Sequence, residues 1–379
     1  MKNLNIGILG TRGIPNHYGG FEQFAEHLSQ DLVDRGHSVS VYNSSLHPYK
    51  QNKWRGVRII HCRDMEHRLG TAGQFVYDLN CINDARKRNF DVLLHLGYTS
   101  DSVWCWRWPK QTIHIVNMDG MEWLRTKYSK PVKRFLKWAE SLAAGHAQVM
   151  VADSPGVQEY ILGKYGKKPA YIPYGATLFN QPDPAILKKY DLFPRRYLLM
   201  ITRMEPENNI EMAIQGYLAS GHPDPLFIIG NITNTYGRYI TAKYRAPGIR
   251  FSDAIYVQDE LDNLRYFSSL YFHGHSVGGT NPSLLEAMAC GCRIAAHENR
   301  FNRAVLGDEA DYFPDADHIR MIITTPAPPA QLEQRQQLNW QKIKTIYTQQ
   351  RVTDAYEQLM LQACGEKKLV ILPAAAKAV

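Results

Sequence analysis

The chain has 379 residues, 44% of them hydrophobic and 21% charged; that is too long for one ordinary core and comfortable for two domains. No run of about eighteen apolar residues exists to span a bilayer, and the 6 cysteines show no metal-ligand or disulfide spacing. A formal charge of +8 admits phosphorylated substrates and anionic lipid as partners, while the lack of any zinc-finger or RNA-binding signature sets nucleic acid aside.

The opening MKNLNIGILGTRG lacks the basic, apolar and cleavage regions of a secretory leader and reads as a first β-strand over 4–10. Apolar residues at helical spacing (Phe21, Phe24, Ala25, Leu28, Leu32) predict a helix over 21–35, stopped at Gly36. Strands follow at 38–42, 57–61, 92–96 and 112–117, with a helix over 72–88. A second alternating series runs from strand 197–201 through helix 209–219, strands 226–229 and 255–257, helix 261–269 and strand 271–273 to helix 281–289. Such alternation predicts an α/β chain with doubly wound parallel sheets. The expected division is a first domain over 1–178, a linker over 179–194, a second domain over 195–330, a C-terminal helix over 331–364 packing back across the domains, and a tail over 365–379. Cys290 and Cys292 form only C-x-C, and they read with Cys62, Cys81, Cys105 and Cys364 as buried, reduced thiols of a cytosolic protein.

Ligands of open α/β sheets bind beyond the carboxyl ends of the strands, so the loops there carry most weight. The first reads GTRGIPNHYGGFE over 10–22. Its glycines let backbone N–H groups approach an oxyanion, and Gly19 and Gly20 directly precede a helix whose dipole favours negative charge. Arg12, His17 and Tyr18 lie in the same loop; the spacing is not the dinucleotide G-x-G-x-x-G. The second, RMEPENN over 203–209, places Arg203 directly after a strand, where a guanidinium can clamp a diphosphate. The third, HGHSVGGTNPSLLEAMACG over 273–291, offers Gly278, Gly279, Thr280 and Asn281 as an anion-receptive helix start. Glu286, one turn into that helix, suits the two hydroxyls of a ribose. His273 and His275 have no carboxylate partner in sequence, so no metal site is expected. A basic, aromatic stretch (Trp123, Arg125, Lys127, Tyr128, Lys130, Lys133, Arg134, Lys137, Trp138) reads equally as a solvated helix face or as a surface for anionic membrane.

Together these motifs resemble the retaining GT-B glycosyltransferases related to glycogen synthase and the bacterial polysaccharide transferases, over nearly the whole chain. The resemblance implies a GT-B fold: two doubly wound, Rossmann-like domains facing across a cleft. It places Gly19 and Gly20, with Arg12 in the same loop, at the donor phosphates. It places Arg203 on the diphosphate and Glu286 on the ribose. Two positions depart from the broad family: Gly278 stands where most members present a sugar-binding Glu, and Asn208 where they have Lys. Both departures are similar to a narrower group, the bacterial rhamnosyltransferases of capsule and exopolysaccharide assembly. The segments that carry this likeness are 11–15 and 18–22, 119–127, 203–209 and 277–287.

That group implies dTDP-rhamnose as donor substrate, with no cofactor and no metal, and a lipid-pyrophosphate-linked saccharide as acceptor. It implies a cytoplasmic enzyme, peripheral on the inner face of the plasma membrane. Transfer is expected with retention, with Arg203, Glu286 and Asp119 as the catalytic set; the leaving phosphate takes the acceptor's proton, or Asp119 serves as base or acceptor-positioning group. In the resemblance Met118–Asp119 occupy the place of a His-Asp pair whose His reaches the donor's 6-hydroxyl, and a thioether there suits the methyl of a 6-deoxy sugar. A nucleotide-sugar 2-epimerase and a nucleotide-sugar-binding scaffold without turnover are the alternatives.

Overall fold

The computed structural model describes residues 3–125 and 127–365. They divide into two compact units, one of residues 3–124, 128–173 and 349–365, the other of residues 125, 127 and 174–348.

The first unit is built on an 8-stranded sheet. Its strands are β1 (Asn5–Leu9), β2 (Ser38–Ser44), β3 (Lys53–Trp54), β4 (Val57–Cys62), β5 (Val92–Leu96), β6 (Ile113–Asn117), β7 (Val149–Ala152) and β8 (Ala170–Tyr171). Their order is β3-β4-β2-β1-β5-β6-β7-β8. Only the short β3 runs antiparallel to its neighbour. In the middle, Ile6 lies opposite Val39 of β2 and Val92 of β5. Strands covered on both faces are near-continuous apolar runs, and every residue of β5 is buried. The helix Gly20–Asp34 turns Phe24, Ala25, Leu28 and Leu32 inward, the spacing of a one-faced amphipathic helix.

The second unit repeats the plan with a 6-stranded, all-parallel sheet. Its strands are β9 (Leu198–Ile201), β10 (Leu226–Ile229), β11 (Ile249–Ser252), β12 (Leu270–His273), β13 (Ile294–His297) and β14 (Asp311–Phe313). They lie in the order β11-β10-β9-β12-β13-β14. Its core gathers Leu198, Met200, Ile214, Ile228, Phe272 and Phe313. In each sheet the strand order reverses beside the unit's first strand, between β1 and β5 and between β9 and β12. Such reversals are where open α/β sheets bind ligands.

Three expectations change. The strand read at 255–257 is a loop with Tyr256 and Val257 exposed, and the strand is β11, earlier in the chain. Arg250 and Ser252 hide it, as polar residues on a half-covered edge strand do. The helix read over 331–364 is two helices, Pro329–Thr345 and Gln349–Ala363. The break falls at Thr345-Ile346-Tyr347-Thr348, four β-branched or aromatic residues with poor helix propensity, and Thr348 bridges to Ala176. Only the second of these helices joins the first unit. The stretch 179–194 belongs to the second unit: Leu187 is buried, and the Asp183 N–H donates to Asn263 Oδ1 at 2.7 Å. Among the described residues no helix is long and apolar enough to cross a membrane. All 6 cysteines are free thiols, and all but Cys364 are buried.

Candidate functional site

In the first unit the glycine-rich loop leaves β1 at the reversal point. Gly10 and Gly13 have φ of +89° and +122°, and a Cβ on either would fall 2.4 Å from Leu96 O or 2.3 Å from Asn43 Cγ. Both are therefore demanded by the fold. Gly19 is not: its φ is −171°, and a Cβ would meet only Glu22 Oε2 at 3.5 Å. Gly20 is the first residue of the helix Gly20–Asp34.

Most of the loop's N–H groups already have acceptors. The Arg12 N–H donates to Glu22 Oε1 (2.8 Å), that of Gly13 to Thr11 Oγ1 (2.9 Å), that of Ile14 to Asn43 Oδ1 (3.0 Å) and that of Asn16 to Glu26 Oε2 (2.5 Å). The chain's own side chains, two of them carboxylates, thus take up the N–H groups of Arg12, Gly13, Ile14 and Asn16, and Gly19 and Gly20 remain at the helix start. Arg12 is also engaged. Its guanidinium makes a two-pronged pair with Glu66 at 2.7 and 3.1 Å and stacks 3.7 Å from the centre of the Tyr18 ring. The Glu66 pair engages Nε and Nη2 and leaves the Nη1 donors of the guanidinium outside it.

Asp119 follows β6 with a positive φ of +50°. Its N–H donates to Asn117 Oδ1 at 2.9 Å. Met118 is 1% exposed and packs in the core with Ile82, Tyr98 and Ala139, so its thioether is core and not a wall for a donor's methyl. A few residues on, Trp123 Nε1 donates to Glu140 at 3.1 Å. Glu140, buried on the helix Lys130–His146, also accepts from Tyr160, Lys164 and Tyr165 at 2.7–2.9 Å. That helix exposes Lys130, Arg134, Lys137 and Trp138. Lys133 on the same helix is half-buried. Arg125 and Lys127 belong to the second unit, Arg125 being buried beside Glu207 (3.4 Å) and Lys127 pairing with Glu205 (2.8 Å).

In the second unit two loops meet backbone to backbone at the reversal between β9 and β12. A Cβ on Gly274 would lie 2.0 Å from Asn208 O. Asn209 Nδ2 donates to Gly274 O at 2.8 Å, and Ser276 donates to Glu207 O through N (3.1 Å) and Oγ (2.8 Å). On this stitched base Arg203 is exposed, with no ion pair among the described residues. Asn208, where a lysine was expected by likeness, is buried and donates to Arg203 O at 2.7 Å. It shapes the loop instead of supplying charge. Burial opposes ionisation of Glu205, but Arg203 and Lys127 outweigh it and hold that carboxyl below its usual range.

Gly278 has φ +147°, and a Cβ there would have no heavy atom within 4 Å. Gly279 follows it, Thr280 is buried, and Asn281 caps the helix Pro282–Ala289 by accepting the Ser283 N–H at 3.0 Å. Glu286 is no solvated residue. Its side chain is 12% exposed and paired with Arg265, which is itself buried at 1%. Arg265 also meets Asp262 at 3.1 Å and Ser283 Oγ at 3.4 Å, and Ser283 Oγ bonds Tyr271 Oη at 2.7 Å. Sequence reasoning missed Arg265; the signal was an arginine beside Leu264 on the inner face of its helix, three residues from an aspartate. His273 and His275 stack at 4.5 Å with an interplanar angle of 16°. Burial, then His297, pushes His273 down to about 3.

Two doubly wound sheets of this order, each with its conspicuous loops at the reversal point, define the GT-B class of α/β fold, and this chain has that fold. Sucrose-phosphate synthase from Thermosynechococcus elongatus is similar with a TM-score of 0.76 and 14% identity over 95% of this chain and 99% of that one. HepE from Anabaena, solved with UDP and glucose, has a TM-score of 0.72 and 13% identity over 95% and 100%. WaaG, a glycosyltransferase involved in lipopolysaccharide biosynthesis, has a TM-score of 0.70 and 12% identity over 96% and 100%. At these identities the likeness is one of fold. Residues 3–177 match a family described as a domain of unknown function, DUF1972. No curated protein matches the sequence.

Proposed function

We propose that this protein is a glycosyltransferase that takes a sugar from a nucleotide diphosphate and passes it to an acceptor hydroxyl. The observation that carries the reading is the second unit's reversal point. There the exposed Arg203 follows β9, and Glu286, held by the buried Arg265, lies on the helix that follows β12. A guanidinium matches a diphosphate, and a fixed carboxylate can accept from a pentose hydroxyl, which in a deoxythymidine nucleotide is the 3′-hydroxyl. The fold supports it, since the similar HepE was solved with UDP and glucose.

The donor in this reading is dTDP-rhamnose and the acceptor a lipid-pyrophosphate-linked saccharide of bacterial surface polysaccharide. Its support is the motif likeness and Gly278, which offers only backbone groups where the broad family presents a glutamate. Met118 has no part in it. The bond from the sugar's anomeric carbon to the diphosphate breaks, and a bond to the acceptor oxygen forms on the same face. The acceptor's proton passes to the leaving diphosphate, whose growing charge Arg203 and the N–H groups of Gly278 and Gly279 stabilise. Thr280 and Asn281 shape the helix start, and Asp119 serves the acceptor. The enzyme works at the cytoplasmic face of the membrane, with Lys130, Arg134, Lys137 and Trp138 toward anionic lipid.

A nucleotide-release assay tests the reading. Release from dTDP-rhamnose only when the lipid-linked acceptor is present supports transfer. Conversion of a nucleotide sugar without acceptor would show an epimerase, and binding without release a scaffold. UDP-glucose is expected to serve at least ten times more poorly, a difference of about 1.4 kcal/mol. Preference for UDP-glucose would overturn the donor and leave transfer intact.

A further inference from the structure

The C-terminal helix Gln349–Ala363 packs on the first unit, and it does so at a point tied to Asp119. Thr353 Oγ1 donates to Asp31 at 2.7 Å, Arg35 pairs with Asp354 at 2.7 Å and Glu357 at 2.5 Å, and His37 Nε2 meets Glu357 at 2.9 Å. These contacts fix the helix against the end of the helix Gly20–Asp34. They set Tyr356, 1% exposed, with its ring 5.2 Å from that of Phe24 and its hydroxyl oxygen 3.0 Å from Asn117 Nδ2.

Asn117 closes β6 and is itself buried at 1%. Its amide has two ends and both are used: Nδ2 donates to Tyr356 Oη, and Oδ1 accepts the Asp119 N–H at 2.9 Å. Orientation matters, because a flipped amide would set an N–H₂ donor against the Asp119 N–H donor. Without the tyrosine hydroxyl, Nδ2 would be a buried donor with its partner removed, and such groups rearrange to find one. Asp119 is one of only five non-glycine residues with positive φ among the described residues. The bond from its N–H to Asn117 Oδ1 is one of the contacts that hold this backbone conformation.

We propose that Tyr356 is a positioning residue for Asp119, acting through Asn117, so that the helix Gln349–Ala363 orients the acceptor-side loop after β6. The inference rests on the reading of Asp119 as an acceptor-side group, and it extends that reading to a residue more than two hundred positions away.

Tyr356→Phe keeps the ring against Phe24 and removes only the hydroxyl. Two measurements decide the matter. Hydrogen exchange of the Asp119 amide needs no substrate: it is expected to quicken at least tenfold in Tyr356→Phe, with the amides of β1 and β5 unchanged. Exchange at Asp119 that does not move overturns the proposal. In the transfer assay, Tyr356→Phe is expected to lose about tenfold in kcat in the native background and nothing further in an Asp119→Asn background. Equal losses in both backgrounds would show a general structural role and overturn it. An Asp119→Asn variant with full activity would remove the reading of Asp119 itself, an outcome distinct from the exchange result. Asn117→Ala is the second variant, expected to reproduce both effects.

Discussion

Arg203 and Arg12 both lie just beyond the first strand of their unit, and the structure gives them opposite fates. Arg12 is locked to Glu66 and Tyr18, while Arg203 is exposed and carries no ion pair among the described residues. Arg203→Ala should therefore fold and melt as the native protein does, yet lose on the order of 10²-fold in kcat, the scale of one charge-stabilising group; nucleotide release and thermal melting together check it. A second residue-scale prediction concerns acid. His273 is held neutral by burial, its folded value being about 3 against roughly 6.5 in the unfolded chain. The unfolded state takes a proton that the folded state refuses, so stability is full above that unfolded value and declines as pH falls from it towards 3. At pH 5 one such histidine costs about 2 kcal/mol. His273→Phe should shrink the loss of stability between pH 7 and pH 5 by that amount, read by urea unfolding at both values. Residues were legible where chain geometry speaks locally: Gly10 and Gly13 because of their backbone, Arg203 because it ends a strand. Arg265 and Glu140 were not, because each acquires meaning only from a partner 21 or 17 positions away.

At the scale of elements, apolar runs gave away β1, β5, β9 and β10, whose residues face the cores. What stayed hidden were β7, β11 with its polar Arg250 and Ser252, and the pause at 346–348 between two helices. The basic helix Lys130–His146 illustrates the same limit. Sequence spacing gathered nine basic and aromatic residues from 123 to 138, but folding sends Arg125 and Lys127 to glutamates and lays Lys137 over Trp123 at 4.2 Å. The surface that remains is smaller, with Lys130, Arg134, Lys137 and the half-exposed Trp138. Each basic residue near an anionic membrane contributes roughly 1 kcal/mol. Replacing Lys130, Arg134 and Lys137 with Gln should release the protein from phosphatidylglycerol vesicles in co-sedimentation and leave its melting unchanged; retention on the vesicles would return the helix face to plain solvation.

For the molecule as a whole, two doubly wound units were legible from the alternation of strands and helices and the GT-B class from the motif resemblance, while the membership of the helix Gln349–Ala363 was not. Its partners, Asp31, Arg35 and His37, stand over three hundred positions earlier. Removing residues 349–379 should therefore damage the first unit and spare the second. Calorimetry is expected to show the loss of one transition, and limited proteolysis to cut first within residues 3–173 while 174–348 resists; a truncated chain whose first unit melts normally would contradict this.

The same feature sets a timetable for synthesis. Domains on a ribosome ordinarily finish in the order they emerge, at roughly 5–20 residues per second. Here the first unit lacks its closing helix until residues 174–348 have been made. At that speed the wait is roughly 10–35 s, during which Phe24, Asn117 and Arg35 have no Tyr356 or Glu357 to meet. The second unit, whose body is residues 174–348, is therefore able to finish before the first. A nascent chain stalled before residue 349 is thus a natural client for chaperones that shelter exposed apolar surface, and its vulnerability ends when the last helix leaves the exit tunnel.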